Sequence, residues 1–145
     1  MLRVFDELGD RRERAVTLRD IAHIMVSKGE VDEALKLHQE RLRINDKLGS
    51  LDGRANSFWA MAQIELKQES YQEAFDHLSE SYNLNIKLGR LDGICFVGKT
   101  LGMLLCQANQ KEQGLEILTR SRDGFKRLGQ EHMARQVEDI MKAFD

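Results

Sequence analysis

The chain has 145 residues, 32% of them charged, and its 22 Lys and Arg against 24 Asp and Glu leave a formal net charge of -2. That balance lacks the basic excess that duplex nucleic acid or an anionic membrane surface demands, and no apolar run approaches the roughly 18 residues of a spanning helix. Proline is absent and aromatics make up only 6%, which points away from sheet and towards helices joined by glycine turns. The opening residues, Met1-Leu2-Arg3-Val4-Phe5-Asp6-Glu7, carry no signal-peptide core, so a cytoplasmic location is expected.

The dipeptide Leu-Gly falls at Leu8-Gly9, Leu48-Gly49, Leu88-Gly89 and Leu128-Gly129, a period of 40 residues. Each block holds two amphipathic patterns, and a helix pair of this kind buries its apolar face only by stacking on neighbours. The chain therefore reads as one repeat domain over 1–145. Residues 1–8 are expected to end a preceding helix, 9–48, 49–88 and 89–128 to be full repeats, and 129–145 a terminal capping helix. On this reading the chain opens in mid-repeat, as a piece of a larger protein.

The first unit is expected to run as a helix from Arg11 to Lys28, with Ala15, Leu18, Ile21, Ala22 and Met25 on its apolar stripe. Gly29 ends it, because a helix C-terminus commonly needs positive φ. A second helix, Val31 to Lys47, is expected to bury Ala34, Leu35, Leu37, Leu42 and Ile44.

The second unit opens on Leu51-Asp52-Gly53 and continues through Phe58, Met61, Ala62 and Ile64. Ser70 with Glu73 has the spacing of a capping box for its second helix, through Ala74, Leu78 and Tyr82. The third repeats Leu91-Asp92-Gly93, then Val97, Leu101, Gly102 and Leu105, with Asn109 and Glu112 expected to cap the helix carrying Gly114, Leu115 and Leu118. A last helix, Glu131 to Phe144, has Met133, Val137, Ile140, Met141 and Phe144 on one side and charge on the other.

Two small-residue columns, Ala22/Ala62/Gly102 and Ala34/Ala74/Gly114, would let paired helices approach within the usual 8–10 Å. Lys47, Lys87 and Arg127 sit where a cation complements a helix C-terminus. Cys95 and Cys106 fall in one helix roughly 16 Å apart, beyond disulfide reach, and read as small buried residues.

At these columns the sequence resembles the tetratricopeptide repeat family, in its extended 40-residue variety. The family's leucine, small, glycine and alanine positions are met by Leu18, Ile21, Ala22, Gly29 and Ala34, and again by Phe58, Met61, Ala62 and Ala74. Gly98 departs from the pattern, standing where a bulky residue is expected. The resemblance implies an all-α fold, a right-handed α-α superhelix or solenoid of antiparallel helix pairs, with about three full repeats and flanking half-repeats.

The resemblance also implies a concave groove lined by the first helix of each pair. Carried over by column, the groove would present Arg19, His23 and Ser27 from the first unit, Asn56, Trp59, Gln63 and Lys67 from the second, and Phe96, Lys99, Met103 and Gln107 from the third. None of these is acidic, so the expected ligand is a protein or peptide segment bearing acidic groups. The fixed Lys, Asn and Arg set with which some members grip a chain terminus is not reproduced, since His23 and Ala60 stand where it expects asparagine.

His23, His38, His77 and His132 are spread over different helices without metal-ligand spacing. No nucleophile-elbow or phosphate-loop pattern occurs. No catalytic residue, metal site or cofactor is therefore expected, and the function expected is non-catalytic protein binding by a scaffold within a larger regulatory protein. The alternative is a structural solenoid that forms homo-oligomers through exposed helix ends at Leu2, Val4 and Phe5. RNA binding by a helical repeat is the weaker third reading, because the acidic balance opposes it.

Overall fold

The computed structural model describes residues 2–145, with side chains from residue 9 onward. Seven α-helices cover these described residues, with no strand among them: α1 Leu2–Ser27, α2 Val31–Leu48, α3 Leu51–Lys67, α4 Tyr71–Leu88, α5 Leu91–Gln107, α6 Lys111–Arg127 and α7 Glu131–Ala143. None is long and apolar enough to cross a membrane. The chain divides into two compact units, Met1–His77 and Leu78–Asp145.

The turns between these helices share one backbone device. Gly29, Glu69 and Asn109 inside the pairs, and Gly49, Gly89 and Gly129 between them, all hold positive φ. The next N–H reaches back to the last full turn, as in Glu30 N to Met25 O at 2.8 Å, Ser50 N to Asn45 O at 2.9 Å and Gln130 N to Phe125 O at 2.8 Å. This satisfies carbonyls that a helix end otherwise leaves bare and reverses the chain in two or three residues. Asn109 is therefore the left-handed turn residue rather than a helix cap: the N-cap of α6 is Gln110, without a side-chain cap hydrogen bond. Asparagine tolerates that conformation far better than most residues.

The expectation that residues 1–8 end a separate helix is corrected, because α1 runs unbroken through Gly9. At the later marks the new helix folds back against the old one. A Cβ on Gly53 would collide with the Asn45 carboxamide, and one on Gly93 with that of Asn85. In the first block Glu13 occupies the column of those glycines, within the run Arg11-Arg12-Glu13-Arg14. These are good helix formers, and a lone interior glycine costs only about 1 kcal/mol. The side chains of Leu2, Val4 and Phe5, on which self-association would depend, lie outside the described residues.

In unit 1, α1 packs on α2 and α2 on α3. Ala22, Ala34 and Ile64 form its buried cluster, with Met25, Val31, Leu35 and Leu37 partly buried around it. Two expectations fail here. Ile21 is exposed, and α2 buries Ala34, His38, Arg41 and Asn45, whereas Leu35, Leu37, Leu42 and Ile44 are only half-buried. The small residue at the crossing sets which face turns inward, and the residues at i+4, i+7 and i+11 from Ala34 follow it regardless of polarity.

In unit 2, α5 packs on α6 and α6 on α7. Cys95, Cys106, Leu118, Phe125, Ala134 and Val137 make a dry cluster, flanked by Met133, Ile140, Met141 and Phe144. Gly102 and Gly114 face each other at the α5–α6 crossing, and a Cβ on Gly114 would lie 2.7 Å from the Gly102 carbonyl oxygen. A Cβ on Gly98 would meet Tyr82 Cε2 at 3.1 Å. Ser121 Oγ, Tyr82 and Ile117 together crowd the space that a side chain at Gly98 would need.

Candidate functional site

Repeat columns single out unit 1. Where α6 has Leu118, Ser121 and Phe125 on its buried face, α2 has His38, Arg41 and Asn45. Buried polar groups on a packing face must find partners or weaken the fold. Those three side chains are 1%, 6% and 6% exposed; Asn45 recurs as buried Asn85 on α4, so among the described residues His38 and Arg41 set α2 apart.

His38 is held neutral at physiological pH. Burial, then the Arg41 charge, then His23 pull its pKa down to about 4, and the His23 and His38 ring centroids are 6.2 Å apart. Arg41 Nη1 lies 3.3 Å from His38 Nδ1. Because a guanidinium only donates, Nδ1 accepts and the neutral ring carries its proton on Nε2. Burial, reinforced by Arg19 and opposed by Asp20, lowers the Arg41 pKa to about 10, so it remains a cation. No carboxylate forms an ion pair with Arg41 among the described residues.

Arg41 opens onto a cavity of about 540 Å³ whose wall also holds Arg12, Arg19, Asn45, Ser50 and Asn56, with Asp52 as its carboxylate. The helices place these groups by simple spacing. Arg12 and Arg19 lie two turns apart on α1, while Ser50 caps α3 by accepting from Gly53 N at 3.0 Å. The cavity thus joins guanidinium groups from two helices to the positive end of a third.

A second cavity of about 230 Å³ in unit 1 is bounded by His23, His38, Ala60, Gln63 and Lys67. Nearby, His77 Nδ1 donates to Glu65 Oε1 at 2.7 Å and stacks on Phe58. Burial raises the Glu65 pKa against the opposing hydrogen bond from His77. His38 and His77, in near-equivalent columns, therefore have separate partners, and no cluster of three metal-ligating side chains occurs among the described residues.

The groove residues expected from sequence are distributed unevenly. In unit 1, Arg19 and Asn56 share the larger cavity, while His23, Gln63 and Lys67 share the smaller. Trp59 is half-buried and lines neither, and Ser27 donates to the His23 carbonyl at 3.1 Å. In unit 2, Lys99 donates to Gln136 Oε1 at 2.7 Å, so its charge is engaged from α7. Phe96 is 39% exposed yet meets Phe125 edge-on at 5.1 Å, Met103 is half-buried, and Gln107 is exposed. Arg12, His38, Arg41 and Asn45 were missed by groove reasoning. Comparing the columns 38/78/118, His against Leu and Leu, would have found the anomaly.

A search of curated proteins found no match to the chain. A family model described as Tetratricopeptide repeat matches residues 13–87.

Proposed function

Because the chain belongs to the tetratricopeptide repeat family, we propose that it is a non-catalytic protein-interaction scaffold, part of a larger regulatory protein, that holds a segment of a partner along the first helices of its pairs. The family match supports protein binding in general. The observation that supports a groove is that five of the expected groove residues, on α1 and α3, border the two open cavities of unit 1. Binding needs no chemistry here: a preformed surface gains affinity from apolar burial and selectivity from its polar rim.

Acidic groups on the partner suit this surface, since Arg19 and Lys67 border the cavities. A reducing, cytoplasmic setting suits the two free cysteines, Cys95 and Cys106.

The test compares partners enriched from a lysate of the source organism by the wild-type chain and by a variant carrying Arg19→Glu, Trp59→Ala and Lys99→Glu, after helical circular dichroism confirms both fold. Partners lost from the variant alone support the groove. Partners retained equally by both would refute it, and a mass that rises with concentration in the absence of partners would favour the homo-oligomer instead.

A further inference from the structure

We propose that the larger cavity of unit 1 is the receptor for a carboxylate side chain of the partner segment, an Asp or Glu, with Arg41 as its buried contact and Arg12 and Arg19 at its rim; this rests on the partner-binding reading above. Arg41 is 6% exposed and donates to His38 Nδ1 at 3.3 Å. Burying most of a guanidinium beside a neutral partner is costly, and a hydrogen-bonding anion in the cavity next to it recovers part of that cost. Among the described residues Arg41 thus has a neutral hydrogen-bond partner in His38 and, on its cavity side, room for an anion.

The groups in the cavity wall select the anion. Arg presents a planar fork that matches a carboxylate with two parallel N–H bonds. Neutral His38 does not compete for the anion, because its Nδ1 accepts from Arg41 and so holds the guanidinium in place. The wall includes the N-terminus of α3, whose positive dipole end favours negative charge although Ser50 already caps Gly53 N.

Two features favour a peptide carboxylate over phosphate. Asp52 stands in the wall and would repel a dianion more strongly than a singly charged carboxylate. The rim also includes Val16, 46% exposed, and Leu48, apolar surface that a phosphate ion leaves uncovered and that residues flanking an acidic side chain would bury. A cavity of about 540 Å³ lies within the size range of ligand pockets and exceeds the space of a lone carboxylate.

The probe is a random peptide library displayed on phage and selected against the intact wild-type chain and against Arg41→Met, which keeps the apolar stem and removes the charge. Wild type is expected to enrich peptides with Asp or Glu at one fixed position, and Arg41→Met to lose that enrichment. A selected peptide resynthesised with Asn or Gln at that position is expected to bind about tenfold more weakly or worse. Should Arg41→Met fail to fold, Arg12→Gln and Arg19→Gln at the accessible rim are to be used, each expected to weaken the acidic peptide several-fold. Peptides selected without an acidic position would overturn the carboxylate receptor while leaving partner binding intact. No selected peptide at all would overturn both. Inorganic phosphate binding tighter than the selected peptide would assign the cavity to phosphate and overturn the proposal.

Discussion

The second helix of the first pair and that of the third are built on the same columns and bury opposite chemistries. On α6, Gly114, Leu118, Ser121 and Phe125 face inward, and Leu118 and Phe125 are fully buried in a dry cluster. On α2 the matching residues are Ala34, His38, Arg41 and Asn45, and the space beside Arg41 and Asn45 is a cavity. The difference shows how a repeat array can vary: the small residue fixes which face is buried, and the residues on that face are then either apolar and close-packed or polar and set beside a cavity.

Removing the apolar member should be the most damaging change. Phe125→Ala should cost about 3–5 kcal/mol, because the ring is wholly buried and the rigid helices around it will not collapse into the void. Chemical denaturation of the variant checks this, and a loss under 1 kcal/mol would mean that unit 2 is not held by this cluster.

The polar member should instead announce itself through pH. Unfolded, His38 binds a proton near its ordinary value of 6.5, whereas folded, facing Arg41 and His23, it does so only near 4. The unfolded chain therefore takes up more protons in that window, and stability should fall as pH drops from about 6.5 to about 4, by about 3 kcal/mol for this group. His38→Leu, the residue of the matching columns at 78 and 118, should flatten the profile by that amount. Melting temperatures across this range measure the difference.

The smallest effect concerns the turns. Glu69 holds a left-handed φ of 60° where the first pair has Gly29. Glu69→Gly should stabilise the chain by about 1 kcal/mol by removing the Cβ strain. The equivalent change at Asn109 should gain less, since asparagine already tolerates that conformation.

Much of the fold was legible in residues whose role is local. Leu48-Gly49, Leu88-Gly89 and Leu128-Gly129 mark true reversals, and the small columns at Ala22, Ala34, Gly102 and Gly114 lie buried at their crossings. Leu8-Gly9 misled because a Leu-Gly pair permits a reversal without compelling one. The buried face of α2 misled for a related reason. Hydrophobic patterning assigns the inside to Leu35, Leu37, Leu42 and Ile44, whereas helix crossing geometry assigns it to whatever stands one, two and three turns from Ala34. Groove residues could be placed on helices from sequence, but their sorting into two cavities depends on how α1, α2 and α3 pack.

On the proposed carboxylate-receptor reading Arg41 serves binding rather than packing, and Arg41→Met separates the two. Its affinity for a wild-type-selected acidic peptide should fall about tenfold or more, while its unliganded melting temperature should change little, since relief from desolvating the guanidinium is offset by loss of the donor to buried His38 Nδ1. A variant that melts lower than wild type and binds that peptide equally well would show Arg41 to be a packing residue and contradict the account.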